Sequence, residues 1–305
     1  DGLVRAVTEV SEGRAQFGIG GADVLVAIDS GAGLKIATTI FQQSGFGIVA
    51  LERSGISAPA DLVGRRVGVR PMSVTTAELE AVLTAEGIVL DQIEWVQVEP
   101  GREDQLLIAG NIDAYMGFRS AGRWRLLDAG VIPIFLPAST YGVDFYGDVI
   151  FTTSDMVDQD PLLVRRFVEA SRAGWEYALA HPQEIATRIA TDLVRTVPVS
   201  DLAAFNQSMA TDIGGLMLFP AVQLGHSNPA RWEKMFDALA KAELVTGQFE
   251  YLEFVFDPDL QKAESQKAIL KWSAFALVFF GIAGAGTTVI MWSSVMRRRV
   301  EAKTK

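Results

Sequence analysis

Short apolar runs alternate with amphipathic segments along the chain between residues 17 and 152. The apolar runs, rich in β-branched and aromatic residues, predict strands at Phe17–Ile19, Leu34–Phe41, Phe46–Leu51, Val67–Val69, Ile93–Val98, Ala114–Met116, Ile132–Leu136 and Phe145–Thr152. The segments between them predict helices at about 23–29, 75–86, 104–109 and 121–129. This alternation is typical of an α/β fold with largely parallel sheets.

The helix predicted at residues 75–86 has clear signals at both ends. Thr75 and Glu78 have the spacing of a capping box, in which each side chain accepts a hydrogen bond from the other residue's backbone N–H. Gly87 follows the last apolar position and is a typical helix stop.

The order of the elements predicts two lobes, because the chain becomes almost wholly helical after residue 152. We assign residues 1–65 and 147–256 to lobe one and residues 66–146 to an inserted lobe two, each a three-layer α/β/α unit. The first twenty residues have the pattern of a helix interior that runs into a strand. We therefore expect lobe one to be N-terminally truncated.

A run of 25 residues from Trp272 to Met296 contains no charged side chain. It is longer than the roughly 20 residues that cross the hydrocarbon core of a bilayer. It therefore predicts a transmembrane helix at residues 272–296, preceded by a juxtamembrane linker at 257–271 and followed by a cytoplasmic stub at 297–305. The lipid bilayer is thus one predicted partner.

The charges beside this run predict its orientation. Arg297, Arg298 and Arg299 follow it directly, and the more basic flank of a span is normally cytoplasmic. We expect a single-pass protein of the bacterial inner membrane, with a periplasmic N-terminal domain and a cytoplasmic C terminus. Gly281 and Ala285 have small-residue spacing, which is compatible with a homodimer through the span.

Composition excludes several functions. The 19 basic and 34 acidic residues before residue 258 give that part a formal net charge of −15, which disfavours nucleic acid as a partner. The chain has no cysteine, so thiolate catalysis and cysteine-ligated metals are excluded. His181 and His226 have no second histidine at ligand spacing, and we expect neither a metal site nor a cofactor.

Five segments of the chain occur in an order and spacing that carry a family resemblance: GRAQFGIGGADVLVA, IFQQSGFGIVALERSGISAPADLVGRRVGV, DAYMGF, YGVDFYGDVIFT and GWEYALAHPQEIA. Over residues 1–256 the chain resembles the SsuA-like, sulfonate- and thiamine-pyrimidine-binding family of type 2 periplasmic binding proteins. The resemblance implies a two-lobed fold that closes on a small nitrogen-containing or anionic molecule.

Three functions follow from this resemblance. Joined to one membrane span, such a domain resembles the sensory half of a bacterial receptor, such as a histidine kinase or a diguanylate cyclase. The alternative is a membrane-tethered solute-binding subunit of an ABC importer. A third, a thiamine pyrimidine synthase-like enzyme, is disfavoured because that enzyme carries a cysteine-rich motif and this chain has no cysteine. We therefore expect a binding module and not an enzyme.

Ligand contacts are expected where strand ends and helix starts face the cleft between the lobes. The candidates after strands of lobe one are Gln42 and Ser44, whose amide and hydroxyl groups suit a heterocycle. Plain loop polarity explains them equally well. In lobe two, Ser73 and Thr75 begin the predicted helix, where a structural cap is the alternative function.

The remaining candidates follow a buried strand of lobe two or lie at the return crossing. Arg119 could clamp an anionic group, although a solvated surface arginine is an equal alternative, and Phe118 precedes it. At the return crossing, aromatic rings could stack on a flat ligand and carboxylates could accept from an amino group. These residues are Tyr141, Asp144, Tyr146 and Asp148. The alternative is an aromatic hinge that packs the lobes together.

Overall fold

The computed structural model describes residues 6–70, 73–193, 201–267, 269–270, 272 and 289–296. It divides the chain into two compact units, Asp1–Phe256 and Asp257–Lys305. The strands of the first unit are β1 (Phe17–Gly20), β2 (Leu34–Thr39), β3 (Phe46–Leu51), β4 (Arg66–Val69), β5 (Glu94–Gln97), β6 (Ala114–Phe118), β7 (Pro133–Pro137) and β8 (Val149–Thr153).

Eleven α-helices are described in the same unit. They are α1 (Ala6–Ser11), α2 (Asp23–Asp29), α3 (Val74–Ala85), α4 (Glu103–Ile108), α5 (Arg119–Asp128), α6 (Ser154–Gln159), α7 (Pro161–Ala180), α8 (Pro182–Arg188), α9 (Leu202–Met217), α10 (Pro229–Lys241) and α11 (Tyr251–Phe254). A 3₁₀ turn at Ala138–Tyr141 follows β7. Each strand and helix predicted between residues 17 and 152 has an observed counterpart.

The strands form two sheets, one in each lobe. The first has the order β1-β8-β2 and the second has the order β5-β4-β6-β3-β7. The structure places β3 in the second sheet, where it pairs with β6 and β7, although the sequence analysis assigned residues 1–65 to lobe one. The chain therefore passes from the first sheet to the second between residues 40 and 45.

The prediction of largely parallel sheets is wrong, because four of the six described strand pairs are antiparallel. β8 is antiparallel to β1 and β2, and β3 is antiparallel to β6 and β7. The pairs β4–β5 and β4–β6 are parallel. The reason lies in the connections. Strands joined by a helix run in one direction, whereas β3 and β8 arrive directly from the other lobe.

Two helices illustrate how local sequence sets these elements. Asn228 caps α10 by accepting from the Ala230 N–H at 3.0 Å, and Pro229 occupies the first turn. The buried residues of α10 follow the i, i+3, i+4, i+7 pattern of a core-facing stripe: Trp232, Met235, Phe236 and Leu239.

The start of α3 differs from the prediction. Ser73, not Thr75, is the N-cap, and its Oγ accepts from the Thr76 N–H at 3.3 Å. The capping box proposed for Thr75 and Glu78 is therefore wrong, and Glu78 is only 2% exposed. Gly87 follows the helix with a φ of +73°, as its position predicts.

The second unit contains the linker and the apolar run. Residues 258–267, 269–270, 272 and 289–296 are helical. In the part of the chain that the structure describes, no helix is both long and apolar enough to cross a membrane. Residues 273–288 of the predicted span and residues 297–305 of the predicted stub lie outside the described residues.

Candidate functional site

The two lobes are joined by two chain segments, residues 40–45 and 142–148, which pair as a short antiparallel ribbon. Four backbone hydrogen bonds connect them: Ile40 N–H to Asp148 O at 2.9 Å, Phe41 N–H to Asp148 O at 3.0 Å, Gly147 N–H to Phe41 O at 3.1 Å and Ser44 N–H to Phe145 O at 2.9 Å. We call these segments the hinge ribbon.

The ribbon requires a glycine at residue 147. A Cβ atom there would lie 2.8 Å from the carbonyl oxygen of Gln43 and 2.9 Å from Cβ of Phe41. Both atoms belong to the opposite segment, so a side chain at this position would separate the two segments.

Arg231 in the first turn of α10 forms hydrogen bonds with the ribbon from one side. Its guanidinium group donates to the carbonyl oxygens of Gln42 and Phe145, the latter at 3.2 Å, and to that of Asp144 at 3.0 Å. It also forms an ion pair with the Asp144 carboxylate at 2.7 Å and lies 4.0 Å from the centre of the Tyr146 ring. One side chain therefore binds both segments of the ribbon.

Three of the predicted ligand residues, Gln42, Asp144 and Tyr146, contact other protein groups at the hinge ribbon. Gln42 is 2% exposed and donates from Nε2 to the His226 carbonyl oxygen at 2.8 Å. The Tyr146 hydroxyl accepts from the Asn228 N–H at 2.9 Å, and its ring packs on Trp232. With the Asp144–Arg231 ion pair, these contacts match the aromatic hinge that the sequence analysis gave as the alternative. Ligand contact by these three residues stays a prediction.

Glu78 lies on the side of α3 that contacts the ribbon. Burial raises the pKa of its carboxyl group to about 7, and a side-chain hydrogen bond with Ser44 partly opposes this increase. Its Oε1 atom has no hydrogen-bond partner among the described residues. A nearly fully buried carboxyl group with one hydroxyl partner is costly to ionise. Ser44, a predicted ligand residue, is therefore a hydrogen-bond partner of Glu78, which the sequence analysis did not identify as a site residue.

Asp148 ends the ribbon and lies beside the first lobe. Its pKa is raised to about 6, first by burial and second by the negative charge of Asp23. No side chain among the described residues bonds its carboxyl group. Asp23, at the start of α2, accepts from the Gly21 N–H at 2.8 Å. Among the described residues no cation pairs with these acceptor oxygens, which suits a ligand with N–H donors or positive charge.

The predicted residues of lobe two occupy the starts of α3 and α5. Ser73 caps α3, and Thr75 lies 3.1 Å from the Ser73 hydroxyl and accepts from Arg70 at 3.3 Å. Phe118 packs edge-on against Phe46 in the neighbouring strand.

The other two candidates in lobe two have further partners. Arg119 is half exposed and lies 3.8 Å from the Asp212 carboxylate of α9. Tyr141 packs against the apolar core, and its pKa is raised, chiefly by burial. These contacts do not test whether any of the ten predicted residues binds a ligand.

An apolar cavity lies away from these residues. It is a groove of about 620 Å³ on lobe one, lined chiefly by apolar side chains of β1, α7 and α8 such as Phe17, Phe167 and Ile185. No predicted ligand residue lines it. Among the described residues no group of three or more His, Cys, Asp or Glu side chains could hold a metal ion.

Two α/β lobes joined by a paired two-segment hinge define the fold of a periplasmic binding protein. The structure resembles that of the aliphatic sulphonate binding protein SsuA from Escherichia coli, with a TM-score of 0.66 at 16% identity, covering 82% of each chain. A putative sulfonate-binding SsuA from Methylobacillus flagellatus has a TM-score of 0.65 at 16% identity, covering 88% of this chain and 79% of that one. At such identity the likeness establishes the fold.

Residues 2–185 match the family described as NMT1/THI5 like, and the chain belongs to this family. It is also 24% identical over 255 residues to the riboflavin-binding protein RibY of Chloroflexus aurantiacus, which covers 81% of this chain and 70% of RibY. These relatives are binding proteins, and the chain is a small-molecule-binding module. The family resemblance and the two-lobed α/β fold expected for residues 1–256 are thereby confirmed, whereas the expected membrane span and receptor role are not tested by these comparisons.

Two residues that the sequence analysis missed are central to this region. Arg231 stands in a helix start that reads as an ordinary cap, Asn228-Pro229, and no local pattern reveals its distant partners. Glu78 had a signal, because it shares a helix face with apolar Val82, but its spacing from Thr75 favoured a surface cap instead.

We expect Arg231→Ala to lower the free energy of unfolding by about 2–4 kcal/mol, because it leaves carbonyl groups of the ribbon without donors. Arg231→Lys should restore only part of this loss, since one ammonium group cannot reproduce the planar fork. Urea unfolding at pH 7 measures both. Arg188→Ala is the control, because its exposed ion pair with Asp192 contributes less than about 1 kcal/mol. Equal losses for Arg231→Ala and Arg188→Ala would contradict the assignment.

We expect Glu78→Gln to alter how stability depends on pH. A carboxyl group with a pKa of 4.5 in the unfolded chain and about 7 in the folded one loses stabilisation as pH rises from 4.5 through 7. At pH 8 the variant should be more stable than the parent by on the order of 3 kcal/mol, and near pH 4 the difference should vanish.

Unfolding curves between pH 4 and pH 8.5 test this prediction. Glu86→Gln, at the exposed C-cap of the same helix, should leave the pH profile unchanged. A constant difference between Glu78→Gln and the parent at every pH would show that Glu78 does not titrate differently in the folded state.

Proposed function

We propose that this chain is the extracytoplasmic ligand-binding domain of a membrane-anchored receptor, in which closure of two lobes about the hinge ribbon is the signal. The observation that carries the proposal is the ribbon itself. The two sheets are connected through a pair of short segments, and such a connection allows one lobe to rotate against the other. A ligand held by both lobes favours the closed state by its differential affinity for it.

The proposed ligand is a nitrogen-containing ring compound. Asp148 and Asp23 offer carboxylate oxygens with no protein cation among the described residues, and the hydroxyl groups of Ser73 and Thr75 lie at the start of α3. Such groups accept from ring N–H and amino groups. RibY, a relative of this chain, is named a riboflavin-binding protein, which supports a nitrogen-containing ring compound as the ligand.

The receptor assignment rests on the apolar run of residues 272–296 and the arginines that follow it. In this proposal the run spans the bacterial inner membrane, the first 256 residues are periplasmic, and paired spans pass closure to a cytoplasmic output. A membrane-tethered subunit of an ABC importer is the second candidate. It is supported by the sulfonate ABC transporter component among the similar structures.

Ligand binding can be tested with purified protein by thermal shift and then calorimetry, using riboflavin, an aminopyrimidine and taurine as probes. We expect riboflavin or the aminopyrimidine to raise the melting temperature, since a bound ligand stabilises the folded state. Asp148→Asn should weaken that ligand by about 1–3 kcal/mol, because an ionised acceptor is replaced by a neutral amide. Affinity should also fall below pH 6, as Asp148 becomes protonated.

Asp158→Asn is the matched control, because this residue is exposed on α6 and lies outside the ribbon. Unchanged affinity for both variants would remove Asp148 from the site. Stabilisation by taurine alone would overturn the proposed ligand class.

Topology can be tested separately with reporters in a bacterium, after a secretion signal is added to the N terminus. We expect a fluorescent protein fused after Lys305 to be active in the cytoplasm and alkaline phosphatase fused there to be inactive. Fusion after Phe256 should give the opposite pattern. Periplasmic phosphatase activity for both fusions would refute the proposed span.

A further inference from the structure

Glu78 occupies an unusual position in relation to the hinge. It lies one turn inside α3, and this helix packs against β3 and the 3₁₀ turn Ala138–Tyr141. These two elements are where both segments of the ribbon attach to lobe two. Ser44, the ribbon residue that bonds Glu78, is itself 6% exposed. Relative movement of the ribbon and α3 would therefore change the surroundings of this carboxyl group first.

The carboxyl group has no compensating charge in the described structure. The charged or titratable side chains on α3, on the segment before it, on the ribbon and on the other elements packed against α3 are Asp61, Arg70, Glu80, Glu86, Asp91, Tyr115, Tyr141, Asp144, Tyr146, Asp148, Arg231, Glu233, Lys234, Asp237 and Lys241. None of them contributes to the pKa of Glu78, which burial raises and Ser44 lowers. The neutral form therefore fits the described arrangement, and the ionised form requires water.

We propose that opening of the lobes is linked to release of a proton from Glu78, which is neutral against the ribbon in the closed state and ionised when the ribbon separates from α3. The proposal rests on the lobe motion of the proposed function but not on the identity of any ligand. It makes the closed, signalling state more populated in an acidic surrounding.

The size of the effect follows from the two proton affinities. If the described arrangement, in which the pKa is about 7, represents the closed state and Glu78 has its ordinary pKa of 4.5 in the open state, the open-to-closed ratio rises about tenfold per pH unit between pH 4.5 and 7. Above about pH 7 the ratio is constant, because the carboxyl group is ionised in both states. A lost proton thus favours opening by at most about 300-fold.

The test measures the distance between the lobes in protein without ligand. Because the chain has no cysteine, spin labels can be attached at Asp158→Cys on α6 of lobe one and Asp91→Cys in lobe two, both at exposed positions. Pulsed dipolar spectroscopy at pH 5, 6, 7 and 8 gives the distance distribution. We expect a longer-distance population to grow up to pH 7 and then remain constant.

Two variants in the labelled background decide the cause. Glu78→Gln should keep the short distance at every pH, and Glu86→Gln should behave as the parent. A distance distribution independent of pH in the parent overturns the proposal, as does the same pH dependence in Glu78→Gln. Circular dichroism at each pH verifies that every variant is folded.

The ligand titration and the distance measurement can fail independently of each other. If no probe binds but the distance responds to pH through Glu78, the proton-linked hinge stands and the ligand assignment fails. If a probe binds and closes the lobes while pH has no effect through Glu78, the ligand assignment stands and the hinge inference fails.

Discussion

The arrangement of the lobes depends on the contact between Arg231 and the hinge ribbon. Two extended segments cannot bury their carbonyl groups between packed lobes unless donors reach them, because an unsatisfied buried carbonyl costs about 1–3 kcal/mol. Arg231 supplies donors to both segments at once and stacks on Tyr146. Because it extends from the first turn of α10, the C-terminal helices are tied to the crossing point. Most of the predicted ligand residues near the ribbon are held in place by this arrangement.

The same region contains buried polar groups whose ionisation lowers the stability of the fold. Glu78 and Asp148 have raised pKa values mainly because burial disfavours their charge, and neither has a cationic partner among the described residues. Arg231, in contrast, is paired with a carboxylate and with backbone oxygens. The paired cation therefore fixes the hinge, whereas the two unpaired carboxyl groups are available to protons or ligand donors. This difference explains why we assign a structural role to the first and functional roles to the others.

Within the first 152 residues, the local sequence pattern predicted the positions of the helices and strands well. It predicted poorly which strands pair with each other. The predicted strand at residues 34–41 ends at Thr39 in the structure, since its last residues belong to the ribbon. Strand β3 looked like a continuation of lobe one, but it pairs in the second sheet. Likewise the sequence left Tyr146 open between ligand contact and hinge packing, and Gln42 open between ligand contact and plain loop polarity. Their distant structural partners, Asn228 and His226, are visible only in the tertiary structure.

The sequence by itself determined the α/β class, the two-lobed organisation, the family resemblance and the end of α3 at Gly87, because periodicity and helix-stop signals are local properties. It also determined the absence of cysteine chemistry. Only the tertiary structure decided which strands are antiparallel, that Ser73 and not Thr75 caps α3, and that Glu78 is buried beside Ser44. Arg231 and its carbonyl partners lie more than eighty residues apart in the chain. Contacts of this kind depend on how elements pack, and no local spacing encodes them.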